Sequence, residues 1–241
     1  MRLLERVVEL ERDVRYQDPP EEGEARVGLV RGELPVLLSA PHAAVHTRLG
    51  RSKEEEEFTA AIVCLVAELT GAHALYARRR SPTDPSWYPE VPYKGLLRQM
   101  SADEEVELVL DIHGMAPERN MGIALGTLKG RSCPDYRDGI VHPLEARGFH
   151  RAGVDLGHLD VDETFTGQGV REQETITSFV WRTLGVACAQ LELHPALRVV
   201  ERREDATLPR PYQGDPDAIR RVLGGLVDIV RNASSEGSTD G

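Results

Sequence analysis

Two histidines and a glutamate, His42, His113 and Glu192, each lie within or just after a short apolar run. If the three runs are parallel strands, their carboxyl ends meet at one edge of the sheet, where open α/β domains place their sites. Imidazole and carboxylate groups are the usual ligands of catalytic zinc. The spacing therefore favours a metal-dependent hydrolase.

Hydrolysis at zinc needs three protein ligands, an open position for water, and a carboxylate that accepts the proton of that water. The acidic run at residues 54–57 offers a third ligand, although acidic residues in the first turn of a helix also complement the helix dipole. Glu192 stands in an otherwise apolar strand, so its carboxylate needs either a structural ion pair or a catalytic role. Beside a metal it would act as a general base.

Alternating strand and helix patterns predict the scaffold that positions these residues. The strands are predicted at residues 26–30, 34–38, 73–77, 106–112, 122–125 and 186–193. The helices are predicted at residues 54–69, 93–100, 136–146, 175–184 and 216–230. The first two strands flank a turn, which indicates a hairpin or a tight connection, and residues 157–174 are predicted to be a long surface loop.

This order predicts the fold class α/β: a single layered domain with a central mixed, largely parallel sheet flanked by helices. The domain is expected to cover residues 1–232, and residues 233–241, rich in serine and glycine, to form a disordered tail.

Composition excludes several classes of function. The net charge of −11 would repel nucleic acid and anionic membranes. Three cysteines without close pairs argue against a disulfide framework and against a thiolate zinc site. The charged N-terminal residues and the lack of about 20 consecutive apolar residues favour a cytoplasmic location without a membrane span.

Several short motifs taken together resemble the N-formylglutamate amidohydrolase family, a branch of the zinc-carboxypeptidase-like hydrolases. In chain order they are Ser39-Ala40-Pro41-His42, Lys53 with an acidic pair and Phe58-Thr59, Asp84-Pro85-Ser86-Trp87, Asp111-Ile112-His113-Gly114, and Gln190-Leu191-Glu192-Leu193. The resemblance covers roughly residues 34–198, and its specificity lies in the order and spacing of the motifs.

The resemblance implies a zinc ion held by His42, Glu56 and His113. The family usually has an acid two residues before an aromatic residue, which indicates Glu56, and Glu57 is the nearest competitor because a shift of one residue would present it instead. Glu192 matches the glutamate that activates the zinc-bound water.

The resemblance also implies that Arg80 holds a substrate carboxylate or polarises the scissile carbonyl. An exposed place in the basic run at residues 78–80 is an equally good interpretation. The chain departs from the family at Ala43, where a glycine is usual, and at Ser86, where an asparagine is expected. These departures affect the substrate more than the reaction class.

The resulting hypothesis is a zinc-dependent amidohydrolase that cleaves an N-formyl or N-acyl amino acid, a small acidic substrate like N-formylglutamate. The alternatives are a metallocarboxypeptidase-type peptidase and a catalytically inactive binding module of the same fold. His46, His158 and His194 could approach the site but are left out of the predicted ligand set.

Overall fold

The computed structural model describes residues 3–207 and 213–236. Its main sheet has seven strands in the order β1-β5-β2-β6-β9-β7-β8, and β3 and β4 form a separate hairpin. The strands are β1 (Val27–Val30), β2 (Val36–Ala40), β3 (His46–Arg48), β4 (Arg51–Lys53), β5 (His73–Ala77), β6 (Leu108–Gly114), β7 (Ile123–Gly126), β8 (Leu159–Val161) and β9 (Ala187–Leu193).

The centre of the sheet is parallel, and two strand pairs nearer its edges are antiparallel. Strands β5, β2, β6 and β9 pair in parallel, whereas β1 pairs antiparallel with β5, and β7 pairs antiparallel with β9. Strand β2 is buried throughout, as expected of a central strand covered on both faces. The predicted mixed, largely parallel sheet is confirmed.

Helices cover both faces of the sheet. They are α1 (Leu3–Glu11), α2 (Thr59–Thr70), α3 (Pro92–Asp103), α4 (Arg137–Ala146), α5 (Ile176–Phe179), which continues into a π-helical turn (Val180–Leu184), and α6 (Pro216–Glu236). The larger apolar core lies under α1, α2, α4 and α6, and a smaller one lies under α3 and α5. No helix in the described ranges is both long enough and apolar enough to cross a membrane.

Helix α2 begins five residues later than predicted, so the acidic run is not its first turn. Phe58 adopts a left-handed backbone conformation with φ 64°, and the Glu56 amide donates to the His42 carbonyl. Glu11, the buried last residue of α1, accepts hydrogen bonds from the Phe58 and Ala61 amides. Because this distant carboxylate caps the helix, the acidic run is free to line the site instead.

Other predicted boundaries also differ from the structure. Strand β1 pairs with β5 and not with β2, so the hairpin alternative is wrong, whereas the short connection at residues 31–35 does lead into the buried strand β2. The predicted loop at residues 157–174 contains β8, which is held by pairing with β7. Helix α6 continues to Glu236, past the predicted domain end at residue 232, and residues 237–241 lie outside the described residues.

Candidate metal centre

His42, Glu56 and His113 converge at the carboxyl ends of β2 and β6. The two Nδ1 atoms each lie 3.0 Å from one oxygen of the Glu56 carboxylate, His42 from Oε1 and His113 from Oε2. Each of the three residues offers one possible metal-binding atom, and these three atoms all lie within 4.8 Å of one another. The Gly114 amide donates to Glu56 Oε2 at 2.9 Å, which fixes the carboxylate between the imidazoles.

Each histidine is oriented from behind by a buried aspartate. His42 Nε2 donates to Asp84 Oδ1 at 2.8 Å, and His113 Nε2 donates to Asp111 Oδ2 at 2.9 Å. Ser39 donates to the other oxygen of Asp111, because the register of β2 and β6 places the two residues side by side. Both Nδ1 atoms therefore point at Glu56, with the opposite ring nitrogen held by a carboxylate, as is usual for histidines that bind metal.

Opposite charges dominate the electrostatics of this cluster. Burial disfavours the charged form of His42, but the carboxylates of Glu56 and Asp84 outweigh it and raise the pKa to about 9. For His113, Asp111 and Glu56 likewise overcome burial and raise the pKa well above its usual value. Burial alone would raise the pKa of Glu56, yet the two histidines hold it well below its ordinary range.

His46 lies against the same cluster. Its ring stacks on that of His42 with centroids 4.0 Å apart, and its Nε2 lies 3.5 Å from Asp84 Oδ2. Burial and the charge of His42 lower the pKa of His46 to about 3, so the imidazole is neutral. A second group of possible metal-binding atoms, all within 4.8 Å of one another, comes from His42, His46 and Asp84. The Asp84 carboxylate, however, already accepts hydrogen bonds from His42 and from Arg48 Nε, the latter at 2.5 Å.

Glu192 lies beside His113, because β6 and β9 pair these two residues in register. Gln190 donates to Glu192 Oε1 at 2.7 Å, and Oε2 has no hydrogen bond among the described residues. Burial, only partly offset by the charge of His113, raises the pKa of Glu192 to about 6. A carboxylate of this kind can accept a proton near neutral pH and release it again.

A cavity of about 850 Å³ opens onto the cluster. His42, His46 and Glu56 line it, whereas His113 and Glu192 are 4% and 8% exposed and lie outside the lining. The lining includes acidic and apolar residues, and among the described residues three cationic ones reach the cavity: Arg48, Lys53 and Arg198. Its volume is within the usual range for small-molecule sites.

The structure does not bring Arg80 to the cavity. Its side chain is exposed, and its backbone amide donates to the carbonyl of Asp18, which is not one of the residues that line the cavity. The neighbouring Arg79 donates to Glu24 and to the Asp13 carbonyl, which fixes this segment against the N-terminal region. Such contacts between distant parts of the chain leave no local pattern in the sequence.

Glu56 rather than Glu57 contacts the two histidines. Glu57 lines the cavity, but none of the hydrogen bonds to His42 or His113 among the described residues comes from it. Asp84 and Asp111 were expected only as members of their motifs, without a contact of their own to the histidines. The spacing of Asp111 two residues before His113, on one face of a strand, is the signal that could have revealed the second of these contacts.

The chain matches no family model and no curated protein sequence. Among solved structures, it is similar to a bacteriophage poly-γ-glutamate hydrolase, with a TM-score of 0.50, 15% identity and 88% of both chains covered. It is also similar to a succinylglutamate desuccinylase from Chromobacterium violaceum (TM-score 0.49, 14% identity, 96% of this chain and 77% of that chain). A metallo-carboxypeptidase from Pseudomonas aeruginosa gives a TM-score of 0.47 and 15% identity over 96% of this chain and 68% of that one.

At these identities the likeness concerns the fold. The chain shares its overall fold with the bacteriophage hydrolase, and in this chain that fold is a mixed, largely parallel sheet flanked by helices.

Proposed function

We propose that this chain is a metal-dependent amidohydrolase that cleaves the amide bond of an N-acyl amino acid. The observation that carries the proposal is the convergence of His42, Glu56 and His113, with an aspartate behind each histidine. These are the ligand types of catalytic zinc sites, and the aspartates fix the ring nitrogen that faces the metal.

The donor set fits a zinc ion held by His42 Nδ1, His113 Nδ1 and the Glu56 carboxylate. When bound, zinc supplies Lewis-acid polarisation of a carbonyl and makes water more acidic. The protons that the free histidines share with Glu56 are lost on binding, because imidazole coordinates metal only in its neutral form. Asp84 and Asp111 keep the Nε2 protons in place.

Glu192 is the proposed general base. Gln190 holds Oε1, which leaves Oε2 to accept the proton of the attacking water and to pass it to the leaving amine. A pKa of about 6 leaves Glu192 ionised at neutral pH and still basic enough to take that proton. Its register partner His113 sets its distance from the metal ligands.

The proposed substrate class is a small N-acyl amino acid, with N-formylglutamate as the candidate suggested by the family resemblance. The acidic residues that line the cavity, at positions 54–57 and at Glu118, oppose a long polyanion such as poly-γ-glutamate, which is the substrate named for one structural neighbour. A single carboxylate that enters beside a bound dication meets much less repulsion.

The test is turnover by the zinc-reconstituted protein. N-formyl-, N-acetyl- and N-succinyl-amino acids are compared with dipeptides, and we expect the N-acyl amino acids to be hydrolysed faster. Glu192→Gln should lower kcat by about 10²- to 10⁴-fold and retain bound zinc, whereas the exposed Glu163→Gln serves as the matched control.

Two results would contradict the proposal. One is the absence of turnover of any of these amides by the zinc-loaded wild type. The other is normal activity in Glu192→Gln. Preferential cleavage of dipeptides would instead assign the site to a peptidase.

A further inference from the structure

Arg198 is a buried cation on the wall of the cavity. It follows a short 3₁₀ turn (Pro195–Leu197) after β9, and it is only 6% exposed. Nε donates to the Leu193 carbonyl at 3.2 Å, and Nη1 donates to the Glu57 carbonyl. Two neutral backbone acceptors thus fix the orientation of the guanidinium group.

The positive charge of Arg198 has no carboxylate within ion-pair distance among residues 3–207 and 213–236. Its Nη2 makes no hydrogen bond to any of these residues, although the side chain lines the cavity. Burial lowers the pKa of Arg198, and the charges of Glu56 and Glu57 only partly compensate. A buried guanidinium group with unused donors is an incomplete ion pair, which an anionic ligand would complete.

Gly114 provides the space that the guanidinium group occupies. A Cβ at this position would lie 2.6 Å from Arg198 Cζ and 2.7 Å from Nη2. The guanidinium group is therefore packed against the backbone of the residue after His113, close to the candidate metal ligands. The absence of a side chain at position 114 is what permits this approach.

The other cations of the cavity are less suited to hold an anion. Arg48 is bonded to Asp84, and its guanidinium carbon lies 5.1 Å from the centre of the Trp87 ring. Lys53 is exposed at the end of β4, where water screens its charge. Of the cavity's cations in the described part of the chain, only Arg198 combines burial with unused donors.

We propose that Arg198 binds the carboxylate of the substrate and so selects N-acyl amino acids with a free carboxylate over their amides and esters. The inference rests on the proposed function and deepens it. The cavity lining includes the apolar residues Met115, Pro195 and Val199, and also Glu57, whose charge acts on Arg198. Burial of the guanidinium group keeps water away from an ion pair formed there and strengthens it.

The experiment measures binding separately from turnover. It uses the zinc-loaded full chain with Glu192→Gln as background, so that bound amides are not cleaved during the titration. The probes are N-formyl-L-leucine and N-acetyl-L-leucine, each compared with its α-carboxamide by isothermal titration calorimetry, so that each acid differs from its amide by a single carboxylate. Of the two acids, we expect the one with the higher affinity to bind at least about 30-fold more tightly than its own amide.

Arg198→Gln should reduce this preference to near onefold, and Arg151→Gln, at an exposed position, should leave it intact. Because Arg198 also binds two carbonyl groups, Arg198→Lys is the second variant. It retains the charge but loses the fork of donors, and should give an intermediate preference. Gly114→Ala should lower the preference without changing any charge, since its Cβ would displace the guanidinium group.

An unchanged preference in both Arg198 variants would overturn the inference, as would a wild-type site that binds acid and amide equally or binds neither. The two proposals fail in different ways. An Arg198-dependent preference without turnover in the protein that retains Glu192 would refute the amidohydrolase. Equal turnover of acid and amide, insensitive to Arg198, would refute only the assignment of Arg198.

Discussion

Glu11 and Glu56 are both largely removed from solvent and lie on either side of the start of α2, but their surroundings differ. Glu11 accepts hydrogen bonds from the Tyr16 hydroxyl and from the Phe58 and Ala61 amides, all neutral donors. Burial outweighs these bonds and raises its pKa to about 7. The pKa of Glu56 lies well below its usual range.

The difference lies in the charge of the partners. Glu56 stands between His42 and His113, whose positive charges outweigh the effect of burial. Neutral donors are sufficient to place the Glu11 carboxylate as a helix cap but not to keep it ionised. Burial of an acid therefore marks a metal-site candidate only where imidazoles converge on it as well.

The largest effect is expected when the charge of Glu56 is removed. Glu56→Gln replaces an anionic ligand by a weak neutral one, and we expect turnover of the best N-acyl amino acid to fall by more than about 100-fold. Glu11→Gln makes the same replacement of a carboxylate by an amide, but outside the histidine cluster, and should keep both turnover and bound zinc. Equal losses in the two variants would show that the contrast between the sites has no functional meaning.

A smaller effect is expected from the aspartates behind the histidines. Asp111→Asn and Asp84→Asn each leave the three proposed ligands in place but weaken the orientation of one imidazole. We expect zinc affinity to fall by about 10- to 100-fold, measured by competition with a chelator. Asp135→Asn, at an exposed position, is the control, and affinities equal to the control would refute an orienting role.

The effect of Glu11 concerns stability rather than activity. Its pKa of about 7 in the folded state exceeds the ordinary value of 4.5, so the folded state binds this proton more tightly than the unfolded chain does. The contribution of Glu11 to the free energy of unfolding should therefore fall by about 3 kcal/mol as the pH rises from about 4.5 to about 7, and then level off.

Glu11→Gln should remove this component of the pH dependence. Urea unfolding of both proteins at several pH values measures this component as the difference between the two plots of unfolding free energy against pH. Parallel curves for wild type and variant would contradict the assignment.

The sheet and the strand ends that carry His42 and His113 could be predicted from the sequence, because apolar runs bounded by turn residues are local signals. The register that sets Glu192 beside His113 follows from pairing between distant strands, and no local pattern encodes it. The acidic run was assigned to helix α2 for the same reason, since the capping carboxylate of Glu11 is more than 40 residues away.

Substrate-side residues were the hardest to predict. Arg80 matches a family motif, yet contacts with the N-terminal region keep it exposed. Arg198 has no motif, and its position depends on packing against Gly114 at the end of β6. Long side chains placed by tertiary packing are visible only once the fold is known.

The most direct test of the metal centre is the zinc content of the purified protein, measured by elemental analysis after reconstitution and dialysis. The wild type and His142→Ala, which changes an exposed histidine on α4, should each hold about one ion per chain. His42→Ala and His113→Ala should hold almost none. A metal-free wild type, or full zinc content in both of these variants, would contradict the account.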